Sequence, residues 1–131
     1  AAKGQEWTNS TGWGQEHNNH CEWHGIKCNK EGQVISLILG NGGLSGRISS
    51  AIGSLTMLQK VDLRDNDLKG SIPSEIGHLS NLSSLILSFN AITGTVPPGI
   101  AKLPNLEIIH LHNNRLRGTV PRLTLKGQTK S

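Results

Sequence analysis

The side chains able to do chemistry in this 131-residue chain gather in two places. His17, His20, Cys21, His24 and Cys28 crowd into one short stretch, and these two cysteines are the only ones present. Imidazoles and thiolates at such spacing can hold a tetrahedral zinc ion, and two thiols can instead pair with each other in an oxidising compartment. The second gathering is His110 and His112, two apart, so that a strand puts both on one face. A metal or general-base partnership with Asp62 would have to span roughly 9–10 Å if two strand spacings separate them. A solvated face whose histidines tune binding is the simpler expectation. No Ser-His-Asp order, paired-carboxylate cleft or phosphate loop occurs in the sequence. The chain is therefore read as non-enzymatic, with no catalytic residue, no metal and no cofactor. Asn9-Ser10-Thr11 and Asn81-Leu82-Ser83 satisfy the acceptor pattern for N-glycosylation.

Composition narrows the partners. Net charge is +4 and the pI about 9.4, with a basic tail of Arg115, Arg117, Arg122, Lys126 and Lys130. No run of consecutive Lys/Arg occurs, and no aromatics alternate with the charges as base-stacking platforms would require. Nucleic acid is not an expected partner. No segment approaches the roughly 20 apolar residues of a membrane span, so no membrane contact by this segment is expected.

The elements that must position these groups come from a repeat. Gly46, Gly70, Gly94 and Gly118 recur every 24 residues, each preceded two residues earlier by Leu44, Leu68, Ile92 or Leu116. Such a period is the mark of a solenoid, in which no coil is stable alone and the stack is the folding unit. The alternations Val61/Leu63, Leu85/Leu87 and Ile109/Leu111 predict short strands with one face buried, stacked in parallel. Asn66, Asn90 and Asn114 follow the strands, where an Asn side chain can satisfy backbone groups at a bend and build an internal ladder. The first coil has Gly42 at that place. Pro73 and Pro97 set the next turn, and Ile76/Leu79 and Ile100/Leu103 predict a 3-10 turn on the opposite wall.

Leu58-x-x-Val61-x-Leu63-x-x-Asn66-x-Leu68-x-Gly70-x-Ile72-Pro73 and its copies through Gly94-Thr95-Val96-Pro97 and Gly118-Thr119-Val120-Pro121 resemble the plant-type leucine-rich repeat. Cys21-Glu22-Trp23-His24-Gly25-Ile26-Lys27-Cys28 resembles the Cys-x-Trp-x-Gly-x-x-Cys amino-terminal cap of that family, in a form similar to algal, diatom and other protist proteins. The resemblance implies an α/β fold, a right-handed solenoid with parallel strands on the concave face and 3-10 or loop segments on the convex face. It implies a cap with a Cys21–Cys28 disulfide over residues 1–33, four repeats over 34–123 and a flexible basic tail over 124–131. A second, short strand near each Leu-x-Gly-x-Ile segment is a further family expectation. Such domains belong to secreted proteins or receptor ectodomains, so an extracellular location, glycosylation at Asn9 and Asn81, and a chain continuing beyond this segment are expected.

Function is expected on the strand face. Its outward columns read Ser36, Lys60, Ser84, Ile108, then Ile38, Asp62, Ile86, His110, then Gly40, Arg64, Ser88, His112. Ile38, Asp62, Arg64, Ile86, His110 and His112, with Phe89 and Ile108 nearby, form the expected ligand-binding patch of mixed apolar and polar character. Its ligand would be a peptide, a glycan or a protein, with a co-receptor as a further partner. The competing readings are an adhesive or lattice-matching surface for ice or mineral, and an enzyme inhibitor. Mixed columns argue against a lattice.

Overall fold

The computed structural model of the protein describes residues 25–118. Seven strands and three 3-10 helices are found among them: β1 (Ile26–Cys28), β2 (Val34–Ile38), β3 (Ser45–Arg47), η1 (Ser50–Ser54), β4 (Lys60–Asp62), β5 (Asp67–Lys69), η2 (Ser74–His78), β6 (Ser84–Ile86), η3 (Pro98–Lys102) and β7 (Ile108–His110). The main sheet has the order β1-β2-β4-β6-β7. Its parallel pairs match Ser36 with Lys60, Lys60 with Ser84 and Ser84 with Ile108, so the 24-residue period of the sequence is the strand register itself. The inward residues Leu37, Val61, Leu63, Leu85, Leu87 and Ile109 are buried in one continuous aliphatic core with Ile52, Ile76 and Ile100 from the opposite wall. The fold is the expected leucine-rich-repeat solenoid, with a sheet wall on one side and a 3-10 wall on the other.

The bends are closed by the asparagine ladder. Asn90 Nδ2 donates to the carbonyls of Leu63 and Leu87 at 3.0 and 3.1 Å, one in the coil above and one in its own. Asn90 Oδ1 accepts from Leu68 N at 3.0 Å. Asn114 repeats the pattern on Leu87, Leu111 and Ile92. The first coil, lacking a ladder side chain, gives the backbone N–H groups of Gly42 and Leu44 to Asn66 Oδ1 at 3.0 and 2.9 Å.

A second, two-stranded sheet pairs β3 with β5 in parallel, and a bridge between Ser71 and Thr93 continues it. Its register differs from that of the main sheet: Gly46 faces Leu68, not Gly70. Gly70 has φ +76°, and a Cβ there would stand 2.9 Å from Arg47 Cγ, so the recurrent glycine answers both a left-handed backbone and the side chain lying across it. On the 3-10 wall, Pro73 and Pro97 precede η2 and η3 with φ of −66° and −62°. In the first coil Ser49 takes their place, and its hydroxyl caps η1 by accepting from Ala51 N at 3.0 Å.

The upper edge of the sheet is covered by β1, which runs antiparallel to β2 and places Ile26 opposite Leu37 and Lys27 opposite Ser36. The connecting turn is tied by Asn29, whose Oδ1 accepts from Glu31 N and Gln33 N at 3.0 Å each. Gly25 sits at φ +86°, and a Cβ there would stand 2.5 Å from the Ile38 carbonyl oxygen and from Leu39 Cδ2. No larger residue fits that seat. Among the described residues no cysteine is free, while Cys21 lies outside them, as do most of the expected cap, the basic tail from Arg122 onward and Asn9.

Candidate functional site

The parallel register aligns the outward side chains into the columns anticipated above, and β1 lengthens the first of them. Because directly opposed residues share a face, the first column runs Lys27, Ser36, Lys60, Ser84, Ile108. The second runs Ile38, Asp62, Ile86, His110. In the third, Gly40, Arg64, Ser88 and His112 are linked by backbone hydrogen bonds from Asn41, Asp65 and Phe89 to the next coil. Lys27 was missed by sequence reasoning, which assigned it to the cap. The signal was present: an Asn-Lys-Glu-Gly turn between Ile26–Cys28 and the next apolar run is a hairpin pattern.

Asp62 is largely buried and already paired. Its carboxylate receives the Arg64 guanidinium at 2.9 Å, and its side chain is only 13% exposed against 52% for Arg64. Asp62 Oδ1 also accepts from Arg64 N at 3.3 Å. The pair lies over Gly40, where a Cβ would stand 3.3 Å from Arg64 Cγ. A small residue in that coil makes room for the arginine to fold back. Asp62 is thus a clamp on Arg64, and Arg64 presents a half-exposed cation whose charge is already matched. The serines of the columns also differ from expectation, since Ser36, Ser84 and Ser88 are buried. Ser36 lies between Lys27 and Lys60 in the first column.

The apolar part of the wall stands open. Ile38 is 51% exposed, Phe89 48% and Ile108 40%, while Ile86 is half-buried between Asp62 and His110. His110 and His112 are both exposed, their ring centroids 5.8 Å apart. Phe89 meets His112 edge-on at 5.3 Å, making a three-ring cluster at the lower end of the wall. Phe89 holds a left-handed backbone with φ 60°, as do Asn41, Asp65 and Asn113 at the matching places of the other coils. Asn and Asp tolerate that conformation; a bulky aromatic does so at a cost.

Among the described residues no group of three or more His, Cys, Asp or Glu side chains is placed to hold a metal ion. The histidines and the first cysteine of the amino-terminal cluster, His17, His20, Cys21 and His24, lie outside them. No described helix is long and apolar enough to cross a membrane. Asn81 is exposed on the bend before β6, its Nδ2 donating to the Thr56 carbonyl at 3.3 Å.

The same architecture occurs in known proteins. Residues 80–123 match the family described as leucine-rich repeats (2 copies), and residues 57–79 match the leucine-rich repeat family. A probable inactive leucine-rich repeat receptor-like protein kinase of Arabidopsis thaliana is 44% identical over 57 residues, covering 44% of this chain and 8% of that protein. The chain thus spans under a tenth of the length of that curated relative. Among solved structures, the BIR3–SERK2 complex from Arabidopsis thaliana aligns with TM-score 0.65 and 30% identity, over 88% of this chain and 77% of that one. The plant peptide hormone receptor RGFR1 in complex with RGF2 aligns with TM-score 0.67 and 35% identity, over 78% of this chain and 19% of that one. Matched in sequence over its repeats and in fold over most of its length, this chain belongs to the leucine-rich repeat family.

Proposed function

We propose that this chain is a non-enzymatic recognition segment of an extracellular leucine-rich-repeat receptor ectodomain or secreted leucine-rich-repeat protein, whose sheet wall receives a peptide or protein ligand. The observation that carries this reading is the exposure of Ile38, Phe89 and Ile108 along a face otherwise set with charged and polar groups. Apolar side chains of that size left open on a rigid sheet suit a partner's surface. The receptor-like kinase relatives and the peptide-hormone-receptor likeness support the same assignment. The BIR3–SERK2 likeness supports a co-receptor as a second partner.

The remaining features follow from this setting. Residues 1–33 form the cap and Cys21 bridges Cys28, a reading supported by Gly25 and β1 seating that segment on the sheet. Residues 34–123 are the repeats and 124–131 a basic tail. Asn9 and Asn81 carry N-glycans. The columns mix basic, hydroxyl, acidic, aliphatic and imidazole side chains, which disfavours the lattice-matching alternative.

The test is calorimetric titration of the chain with a panel of extracellular peptides and with oligosaccharides, using Ile38→Asp and Ile108→Asp as wall variants. A ligand lost in both variants supports the assignment. Ligands that bind both variants as they bind the parent chain remove the sheet wall from the function.

A further inference from the structure

The charges on the wall single out one class of partner. Lys27, Lys60 and Arg64 are exposed on its columns, against one carboxylate, Asp62, which Arg64 already neutralises at 2.9 Å. Among the described residues neither Lys27 nor Lys60 takes part in an ion pair, and Arg64–Asp62 is the one ion pair found. The other acids near the wall lie outside the columns: Glu107 just before β7, Asp65 at the bend after β4, and Glu31 in the turn after β1. Lys27 and Lys60 flank the buried Ser36 in one column, two strand spacings apart, roughly 9–10 Å. The neighbouring column contributes the apolar Ile38 and Ile86, and the lysine column itself ends on Ile108.

We propose that the sheet wall docks an acidic, aliphatic polypeptide segment, its carboxylates set against Lys27 and Lys60 and its apolar side chains against Ile38 and Ile108. This rests on the recognition reading above and names the chemistry of the partner. Complementary charge steers such a segment to the wall and fixes its register, while the exposed isoleucines supply the apolar contact. An acidic polysaccharide offers the same carboxylates but no aliphatic side chains to cover Ile38 and Ile108, so the polypeptide is the better match.

The experiment titrates the chain with a synthetic peptide alternating glutamate and leucine, the same peptide with glutamine for glutamate, and an oligogalacturonate. Lys27→Glu/Lys60→Glu is the charge variant, with Lys27→Gln/Lys60→Gln as the milder one and thermal unfolding as the control for folding. The expected result is binding of the glutamate peptide that weakens with salt and falls at least about tenfold in either charge variant or with the glutamine peptide. Equal binding of the two peptides overturns the acidic class while leaving the wall as a recognition surface. Stronger binding of the oligogalacturonate, or no binding of the glutamate peptide, overturns the proposal. Peptide binding that survives Ile38→Asp and Ile108→Asp overturns the wall assignment itself.

Discussion

The backbone N–H of Gly42 donates to Asn66 Oδ1 at 3.0 Å, so the coil without a ladder side chain is tied by the asparagine of the next one. Asn66 also accepts from Leu44 N and donates to the carbonyls of Leu39, Leu63 and Arg64. Asn66→Ala strands several of these buried groups at once. An unsatisfied buried group costs about 1–3 kcal/mol, and the expected loss is about 3 kcal/mol in urea unfolding. Asn114→Ala, at a half-buried position, should cost less. A loss for Asn66→Ala below about 1 kcal/mol would show the ladder to be incidental.

Gly25→Ala tests the seat of β1. The methyl group would meet the Ile38 carbonyl oxygen and Leu39 Cδ2, each 2.5 Å away, at a backbone angle of φ +86°. The left-handed conformation alone costs a residue with a Cβ about 1–2 kcal/mol. Thermal unfolding should show a loss of at least that size, with hydrogen exchange rising first at Ile38 N, which donates to the Gly25 carbonyl at 2.8 Å. Unchanged exchange at Ile38 would mean that β1 is held by something other than this contact.

The period, the buried aliphatics and the ladder were legible in the sequence because each repeats, and repetition makes a weak local signal strong. The outward columns were legible for the same reason: their membership follows from a 24-residue register. What could not be read was the state of the side chains in them. Asp62 and Arg64 fall in neighbouring columns, and only the fold shows the arginine turning back across Gly40 to pair with the acid. The stagger of the second sheet was likewise hidden, since the glycines align by period and yet Gly46 pairs with Leu68.

The Asp62–Arg64 pair should contribute little to stability. Arg64 is half-exposed, and solvent-screened pairs are worth about 0–1 kcal/mol. A double-mutant cycle with Asp62→Ala and Arg64→Ala is expected to give a coupling in that range. A coupling above about 2 kcal/mol would place the pair among buried ion pairs instead.

Phe89 is the position where stability and recognition should separate. The matching residues of the other coils are Asn41, Asp65 and Asn113, all with φ between 56° and 59°, types that suit a left-handed backbone. Phe89 adopts φ 60° with a bulky ring that is 48% exposed, so burial returns little of the conformational cost. Its described ring contact is the edge-on meeting with His112 at 5.3 Å. Phe89→Asn should therefore leave unfolding free energy unchanged or raise it, by up to about 1 kcal/mol. The same substitution removes the largest apolar side chain of the wall, and ligand affinity should fall at least about tenfold, as it does when an interface anchor is truncated. Backbone strain tolerated at an exposed aromatic points to a use for that aromatic. A Phe89→Asn variant that is destabilised and binds its ligand as the parent does would assign the ring to packing alone.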